Sequence, residues 1–228
     1  MCGRGAQSLT WAEICELSGI SGAPSTSNLE PVYNIAPTTP VHIVREVGGR
    51  RIIEKARWDF IPGWWKKPLK EKAYSTFNAK AETIAELPTY RTAWKKSQRC
   101  LIPMNFFEWM RPKKKGDAPY YIYPAKEPAF RIAGLWDEWT NPESGEVMLT
   151  CTVITCEPNE FMADLHDRMP VILGADQVEA WFNAPPEEAL TMLKPCPSEW
   201  MTAHKVSAYV NNTRNQGPDC IKPEDAES

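Results

Sequence analysis

The sequence predicts one α+β domain: a single, bent, mostly antiparallel β-sheet with a barrel-like core and short helices at its periphery. Three observations lead to this class. The 21 prolines are spread over the 228 residues and argue against long helices. Strand-like runs outnumber helical ones, and several are joined by short turns. Neither a glycine-rich phosphate loop nor a dinucleotide-binding fingerprint occurs.

Short elements are predicted along the whole chain. A capping-box pattern, Thr10 followed by Glu13, predicts a first helix that ends near Gly19. Further short helices are predicted at Thr89–Lys96, Pro158–Leu165, Asp176–Phe182 and Pro186–Lys194. Strands are predicted at Val41–Arg45, Arg51–Trp58, Cys100–Ile102, Phe106–Met110, Tyr120–Tyr123, Phe130–Trp136, Val147–Thr155 and Met169–Leu173. Gly48-Gly49 and the turn around Asn141–Gly145 each join two of these strands as a hairpin.

Length and composition predict one globular domain over residues 1–218, followed by a polar tail, 219–228, that we expect to be disordered. There is no apolar run of about 18 residues and no signal-peptide pattern, so we expect neither a membrane span nor secretion. The seven cysteines include no Cys-x-x-Cys spacing and the three histidines lie far apart, so no metal site and no cofactor are expected. Free thiols favour a reducing compartment, the cytoplasm.

Charge is distributed unevenly, although the net charge is only −3. Residues 45–115 carry 18 Lys/Arg and 7 Asp/Glu, whereas residues 116–228 carry 7 and 19. Such asymmetry favours a basic face that binds a polyanion. The alternative is that Lys113–Lys115 is a solvated turn and that the other charges have no joint function.

Cys2 directly follows Met1, and its small side chain favours removal of the initiator methionine. Removal would leave an α-amine and a thiol on one residue. The amine can condense with an aldehyde to an imine, and the thiol can then close a five-membered thiazolidine. The ordinary pKa values, about 7.7–8.0 for the amine and about 8.5 for the thiol, leave both partly reactive at neutral pH. The alternative is an idle thiol on a frayed terminus.

Three internal polar residues could assist such chemistry. Glu108 lies among aromatic residues on a predicted strand, where partial desolvation would raise its pKa toward a general acid–base range. His166 can shuttle protons near neutral pH, and Asn78 can orient a carbonyl group or the chain terminus. The alternatives are an exposed strand residue, a helix-end cap and a turn residue, respectively.

The run Pro62-Gly63-Trp64-Trp65-Lys66-Lys67 combines flat aromatic surfaces with positive charge. Stacking of a base on an aromatic side chain contributes ~1–3 kcal/mol and tolerates any base. Lys80, close in sequence to Asn78, is a candidate phosphate contact. The alternatives are that Lys80 is merely solvated and that the tryptophans belong to the core, as we expect for one of Trp64 and Trp65.

Eight short blocks cover nearly the whole chain. They are Met1-Cys2-Gly3-Arg4, Tyr33-Asn34-Ile35-Ala36-Pro37-Thr38, Pro62-Gly63-Trp64-Trp65, Phe77-Asn78-Ala79-Lys80-Ala81-Glu82-Thr83, Arg99-Cys100-Leu101-Ile102-Pro103, Phe107-Glu108-Trp109, Leu165-His166-Asp167-Arg168-Met169-Pro170, and Val206-Ser207 through Asn215-Gln216-Gly217-Pro218. Together and in this order they resemble the SOS-response-associated peptidase (SRAP) family, whose members shield abasic sites in DNA.

The resemblance implies a mechanism that agrees with the chemistry of these residues. After loss of Met1, Cys2 would capture the ring-opened aldehyde of an abasic site, mainly in single-stranded DNA, as a covalent thiazolidine DNA–protein crosslink. Glu108 would act as the acid and base beside the amine and the sugar. Asn78 would orient the terminus or the sugar, and His166 would assist proton transfer.

The resemblance also implies a DNA interface. Arg4 and Lys80 would hold phosphates that flank the lesion, and Trp64 or Trp65 would stack on or wedge bases near it. Without the thiol, the imine would permit β-elimination of the strand, an abasic-site lyase activity. We expect a monomer that requires no protein partner and that is associated with the nucleoid if the source is bacterial.

The chain departs from the family pattern at three places. Gly5 stands where an aromatic residue is usual, which leaves the packing of the terminal segment open. Lys80 stands where arginine is common and loses the bidentate phosphate geometry. The segment Met104–Trp109 lacks a glycine and is one residue short, which leaves the local path to Glu108 open.

Two other functions fit parts of the sequence. A non-covalent DNA-binding module would bind in a salt-sensitive manner, indifferent to Cys2 and to the lesion. A thiol peptidase acting on other proteins would match the family's name, but the chain shows no Cys–His motif of a known protease type. Removal of Met1, by the protein itself or by an aminopeptidase, explains that name more simply.

Overall fold

The computed structural model describes residues 3–21, 29–110 and 117–224. In these residues eleven strands join in one hydrogen-bonded sheet. They are β1 (Gly5–Gln7), β2 (Val32–Ile35), β3 (Pro40–Val47), β4 (Arg50–Trp58), β5 (Asn78–Lys80), β6 (Arg99–Glu108), β7 (Tyr120–Pro124), β8 (Phe130–Thr140), β9 (Val147–Cys156), β10 (Met169–Pro170) and β11 (Met201–Lys205).

The helices are short and lie between the strands in sequence. The α-helices are α1 (Trp11–Leu17), α2 (Arg91–Lys95), α3 (Glu160–Ala163), α4 (Val178–Asn183) and α5 (Pro186–Leu190). Single turns of 3-10 helix occur at Leu69–Glu71, Ala81–Thr83, Ala175–Gln177, Ser198–Trp200, Ala208–Asn211 and Pro218–Cys220. The predicted α+β class is confirmed.

Five strands close into a barrel. Around the ring, β3 pairs with β4, β4 with β9, β9 with β8, β8 with β6, and β6 again with β3. The β4–β9 pair is parallel and the other four are antiparallel, which confirms the mostly antiparallel sheet. Closure leaves these strands without free edges where they pair.

β6 connects the barrel to a second, smaller group of strands. Its first half, Arg99–Met104, pairs with β8 inside the barrel wall. Its second half pairs with β1 and β7, which in turn carry β2 and β11. The prediction of two separate strands, Cys100–Ile102 and Phe106–Met110, is therefore wrong: the ten residues of β6 are all buried, and Pro103 is accommodated within the continuous strand.

Two hydrophobic clusters stabilise the fold. The larger one fills the barrel and reaches α4, with Trp58, Trp94 and Trp181 among its fully buried side chains. Two of their indole groups donate hydrogen bonds to backbone carbonyls: Trp58 Nε1 donates to Phe77 O at 2.9 Å, and Trp181 Nε1 donates to Cys100 O at 3.0 Å. Burial of such large side chains supplies most of the stabilising free energy of a barrel this size.

The smaller cluster joins the two ends of the chain. It contains Ala6, Phe107, Trp109, Tyr121, Val206, Val210 and Cys220. Cys220 is 1% exposed, and Val206 bridges to Pro223. The expectation of a disordered tail from residue 219 is therefore wrong for residues 219–224, because an apolar side chain there has a hydrophobic surface to pack on. Residues 225–228 lie outside the described residues.

Local patterns with a specific physical cause were predicted correctly. Thr10 Oγ1 accepts from Glu13 N at 3.2 Å and Glu13 Oε2 accepts from Thr10 N at 2.7 Å, which confirms the capping box. Gly48 and Gly49 have φ values of 59° and 75°, as the β3–β4 hairpin turn requires. The strands that were missed, β1, β2, β5 and β11, have three to five residues and show no clear alternation.

Candidate active site and nucleic-acid interface

Cys2 lies outside the described residues, but the structure describes the chain that follows it. β1 runs antiparallel to β6, with Gly5 opposite Phe106. Arg4 O accepts a hydrogen bond from Phe107 N at 3.0 Å. Continued by one residue, this register aligns Gly3 with Glu108. From Gly5 back to Gly3, the chain therefore follows β6 toward Glu108, the predicted acid–base group.

Glu108 is the last residue of β6 and is 6% exposed. As predicted, Phe107 and Trp109 share one side and pack in the smaller cluster. Glu108 Oε1 accepts from Trp109 N at 3.3 Å and lies 4.0 Å from His166 Nε2. The alternative of an ordinary exposed strand residue does not hold, because Glu108 is buried, and a buried carboxylate needs partners.

His166 is the second buried member of the pair, at 3% exposure. Its Nδ1 accepts from Arg168 N at 2.9 Å, a bond that favours the ring proton on Nε2, the nitrogen that faces Glu108. Nδ1 also lies 2.7 Å from Asp167 Oδ1, a contact that favours a proton on Nδ1 instead. His166 can thus hold its proton on either nitrogen, between two carboxylates.

A two-pronged ion pair connects the His166 loop to the segment that carries Asn78 and Lys80. Arg168 Nη1 and Nη2 lie 2.6 and 2.9 Å from the two carboxylate oxygens of Glu82, and Nη2 also donates to Thr155 O at 2.6 Å. The hydrogen bonds from Arg168 hold the pKa of Glu82 below its ordinary value, and those to Glu82 raise the pKa of Arg168. Bidentate geometry of this kind fixes orientation as well as distance.

Asn78 and Lys80 lie on β5, which pairs in parallel with β9. Ala79 between them is buried, so the two polar residues share the other side of the strand. Asn78 is half-buried and Lys80 is exposed. Asn78 O accepts from Tyr90 Oη at 3.2 Å, which anchors the start of the strand to the segment before α2.

The Trp64–Trp65 turn exposes one tryptophan to solvent and partly buries the other. Trp64 is 47% exposed. Trp65 is half-buried: its ring meets Tyr74 edge-on with centroids 6.3 Å apart, and its carbonyl accepts from Trp139 Nε1 at 2.7 Å. Gly63 is required before them, because a Cβ there would stand 2.8 Å from Glu138 O. Trp64 is thus the one of the two that offers an exposed aromatic surface.

A buried ion pair fixes the far end of the loop that carries Trp64. Lys72 Nζ lies 2.8 Å from Asp59 Oδ1, and both side chains are less than a tenth exposed. Asp59 Oδ1 also accepts from the backbone and hydroxyl of Thr76. Lys72 is therefore a structural cation, whereas Lys66 and Lys67 beside Trp64 are exposed. The predicted basic run Lys113–Lys115 lies outside the described residues.

Arg4 has an environment that sequence reasoning missed. Its Nη1 donates to Asn34 Oδ1 at 2.8 Å and to Val210 O at 2.6 Å, and its guanidinium lies 5.5 Å from the centre of the Trp109 ring. Burial lowers the pKa of Arg4, an effect that Cys220 partly opposes. The predicted phosphate contact is thus directed, through Nη1, into the protein. The sequence gives one indication that the two residues matter: Arg4 and Asn34 both lie in blocks that resemble the family.

Two of the departures from the family pattern are accommodated within β1 and β6. A Cβ at Gly5 would stand 2.1 Å from Met104 Sδ, so the thioether occupies the space that a side chain at position 5 would need. Met104 is 0% exposed. The shortened segment after it does not interrupt β6, which pairs through Glu108 with Tyr120 of β7. The path to Glu108 and the packing of β1 are thereby both defined.

No helix in the described part of the chain is long and apolar enough to cross a bilayer. Within the same residues no group of three or more His, Cys, Asp or Glu side chains is placed to hold a metal ion. The six cysteines described are free thiols in buried positions: Cys15, Cys100, Cys151, Cys156, Cys196 and Cys220. Burial raises the pKa of Cys156 and Cys196 to about 12, which suppresses their thiolates.

Comparisons with known proteins agree with the fold and the residue blocks. The family model described as SOS response associated peptidase (SRAP) matches residues 1–213. Two curated relatives are named abasic site processing protein. YoqW of Bacillus subtilis (strain 168) is 36% identical over 226 residues, which cover 97% of this chain and 99% of the relative. HMCES of Xenopus tropicalis is 32% identical over 263 residues, which cover 97% of this chain and 78% of the relative.

Solved structures share the architecture. A crystal structure of a Bacteroides thetaiotaomicron protein aligns with a TM-score of 0.82 at 26% identity, covering 97% of this chain and 99% of that one. A Bordetella bronchiseptica protein aligns with a TM-score of 0.75 at 26% identity, covering 91% of this chain and 100% of that one. Because the family model spans nearly the whole sequence, the chain belongs to the SOS response associated peptidase (SRAP) family.

Proposed function

We propose that this protein processes abasic sites in single-stranded DNA by forming a covalent thiazolidine crosslink through Cys2, after removal of Met1. The observation that carries the proposal is the buried Glu108–His166 pair at the end of β6, the strand on which the terminal strand β1 lies. Such a pair can move protons where the amine of residue 2 would react. The names of the relatives YoqW and HMCES, abasic site processing protein, support the same substrate.

The first chemical step would be attack of the Cys2 α-amine on the C1′ aldehyde of the ring-opened sugar. The new C–N bond gives a carbinolamine, which loses one water to become an imine. The aldehyde oxygen must gain two protons to leave as water, and the nitrogen must lose protons. Glu108 and His166 together provide one acceptor and one donor for these transfers.

In the second step the Cys2 thiolate would add to the imine carbon. A C–S bond forms, the imine π electrons return to nitrogen, and nitrogen takes the proton that the thiol lost. The five-membered ring removes the imine on which β-elimination depends. A lyase activity, in which C2′ loses a proton and the 3′ phosphate leaves, therefore competes with crosslinking and should increase when the thiol is absent.

Binding of the DNA is assigned to the exposed groups around the pair. Trp64 is available to stack on a base near the lesion, and the exposed Lys66, Lys67 and Lys80 are available to phosphates. Asn78, on the same side of β5 as Lys80, would orient the sugar or the terminus. The proposed chemistry is supplied by one chain and requires no second copy.

The word peptidase in the family description is assigned to the N-terminus itself. Removal of Met1 is a hydrolysis of one peptide bond, performed by the protein or by an aminopeptidase, and it exposes the nucleophilic amine. Hydrolysis of other proteins would require a nucleophile that survives many turnovers, whereas a thiazolidine consumes Cys2. The alternative of a peptidase acting on unrelated substrates predicts cleavage of peptides that Cys2→Ser abolishes.

The test is incubation of the protein, with loss of Met1 verified by intact mass, with a single-stranded oligonucleotide that carries one abasic site. We expect a heat-stable adduct with the wild type and none with Cys2→Ala. Cys2→Ala and Cys2→Ser both keep the α-amine and lose the thiol, so any adduct of either should require borohydride reduction and should be accompanied by more strand cleavage. A heat-stable adduct that persists in Cys2→Ala would contradict the proposal, and salt-sensitive binding without any adduct would favour a non-covalent module.

A further inference from the structure

We propose that Asn34 is a positioning residue which, through Arg4, holds the terminal segment leading to Cys2 in register with Glu108. The C-terminal segment 206–216 acts as the brace against which Asn34 is fixed. The proposal rests on the proposed function, because it assigns Asn34 to the same site. Asn34 itself touches neither the DNA nor the reacting atoms in this scheme.

Asn34 is 2% exposed and lies near the end of β2. Its Nδ2 is within 2.9–3.1 Å of three carbonyl oxygens, those of Val210, Asn212 and Asn215. The backbone carbonyl of Asn34 accepts from Gln216 Nε2 at 2.9 Å. A buried amide whose two N–H groups are shared among carbonyls can adopt only one orientation, since rotation would turn its oxygen toward other oxygens.

That orientation directs Asn34 Oδ1 at Arg4 Nη1, 2.8 Å away. Val210 O accepts from the same nitrogen at 2.6 Å. Below the guanidinium lies Trp109, whose Nε1 donates to Asn211 Oδ1 at 2.9 Å. The side chain of Arg4 is therefore held from two directions by the same brace. Loss of any of these buried contacts leaves a desolvated polar group unsatisfied.

The backbone of Arg4 transmits the position to the terminus. Arg4 O accepts from Phe107 N at 3.0 Å, one residue before Glu108. Only Gly3 lies between Arg4 and Cys2, and glycine has no side chain that could fix the chain direction by packing. The position of Arg4 thus sets the direction in which the terminal residues leave β1. Misplacement of a reacting group by about 1 Å can cost about 100-fold in rate.

Arg4 as a phosphate ligand makes a different prediction from Arg4 as an anchor. A lost phosphate contact weakens DNA binding and lowers the slope of log affinity against log salt by about one. A lost anchor leaves affinity and slope unchanged and lowers the maximal rate of crosslinking. The two roles therefore separate in a single-turnover experiment over a range of DNA and salt concentrations.

The experiment compares wild type, Asn34→Ala and Asn34→Asp with Asn183→Ala, a matched substitution on α4 whose side chain bonds to Glu179 of the same helix. We expect Asn34→Ala to lower the maximal crosslinking rate by about 100-fold, with dissociation constant and salt slope unchanged. Asn34→Asp keeps an oxygen for Arg4 but turns its second oxygen toward the carbonyl oxygens of the brace, so it should also lower the maximal rate. Asn183→Ala should match the wild type.

Hydrogen exchange gives a readout that does not depend on DNA chemistry. The Phe107 amide, which donates to Arg4 O, should exchange faster in Asn34→Ala than in the wild type, and at the wild-type rate in Asn183→Ala. If Asn34→Ala is recovered unfolded, Arg4→Lys provides the same test, because it keeps the charge and loses the planar fork.

An unchanged maximal rate in Asn34→Ala overturns the proposal, whether or not affinity falls. A reduced salt slope with an unchanged maximal rate would assign Arg4 to phosphate instead. If the wild type forms no adduct at all, the proposed function fails; unchanged exchange at Phe107 would then overturn the brace as well, and faster exchange would retain it as a structural device.

Discussion

The Glu108–His166 pair and the Trp64 turn differ in burial and in the elements that support them. The pair is buried, at the end of a ten-residue strand and on a loop fixed by the Arg168–Glu82 fork. Trp64 projects from the surface on a turn between Pro62 and the lysines. Under the proposed function, the contrast corresponds to a division of labour: groups that need precise geometry lie on rigid elements, and groups that would bind a variable ligand lie at the surface.

The division makes the effect of each substitution separable. Changes to the buried pair should alter the rate of crosslinking at saturating DNA and leave affinity intact. Changes to the Trp64 turn should do the reverse. Any substitution that moves both quantities equally would show that the two regions act as one site.

The largest effect is expected for Glu108→Gln. The amide keeps the shape and loses the ability to accept a proton, so the maximal rate should fall by about 10²–10⁴-fold while binding is unchanged. His166→Gln should cost less. The double variant should be no slower than Glu108→Gln alone, because the two residues serve one proton path. Additive losses in the double variant would place the two groups in separate steps.

A smaller effect on a different quantity is expected for Trp64→Ala. Removal of a stacking surface should weaken binding of single-stranded DNA by ~1–3 kcal/mol, measured by fluorescence anisotropy. The maximal crosslinking rate should stay that of the wild type. Trp200, which is 36% exposed on the 3-10 turn before β11, offers a matched control, and Trp200→Ala should leave binding unchanged.

Gly5→Ala tests how tightly β1 packs on β6, the strand that carries Glu108. A methyl group at this position meets Met104 Sδ at 2.1 Å inside a fully buried environment, so we expect a loss of about 1–3 kcal/mol in the free energy of unfolding. Combining Gly5→Ala with Met104→Ala should restore part of it. Equal stability of Gly5→Ala and wild type in urea titrations would show that β1 is loosely packed on β6.

The smallest effect is expected at the Arg168–Glu82 ion pair, which joins the His166 loop to the segment that carries Asn78 and Lys80. Arg168 lowers the pKa of Glu82 in the folded protein, so the ion pair stabilises the fold above the ordinary carboxyl pKa of about 4.3 and is lost as pH falls through the lower folded value. Because Glu82 is about half exposed, the gain is screened to about 0.5 kcal/mol.

Thermal unfolding of Glu82→Gln against pH measures this contribution. The melting temperature should lie below that of the wild type at neutral pH, and the difference should disappear in acid. Glu143→Gln, which removes an exposed ion pair with Lys70, is the control and should show a smaller difference. A difference that persists unchanged in acid would mean that the fork acts by packing and not by charge.

The sequence predicted the parts of the fold that rest on local chemistry. Thr10 and Glu13 define the cap of α1, and Gly48-Gly49 permits the hairpin turn, because these effects act over a few residues. β6 was divided in two because its uniform burial and Pro103 conceal its continuity. The short β1 and β2 have no pattern of their own and exist because β6 and the C-terminal segment cover them.

The site was predictable by residue type but not by arrangement. Glu108 and His166 were identified separately, and only the fold brings their side chains to 4.0 Å. The phosphate role of Arg4 was an implication of the family resemblance, whereas its partners Asn34 and Val210 are distant in sequence and invisible to local reasoning. Burial distinguished Trp64 from Trp65, which no local pattern could do.

Under the proposed function, the nucleophile is the N-terminal residue left by removal of Met1. Mass spectrometry of the purified adduct, after digestion of protein and DNA, measures this directly. We expect an N-terminal peptide that begins at Cys2, carries the sugar remnant on both its amine and its thiol, and has a mass equal to the two components less one water. A remnant on a lysine, or a peptide that still carries Met1, would contradict it.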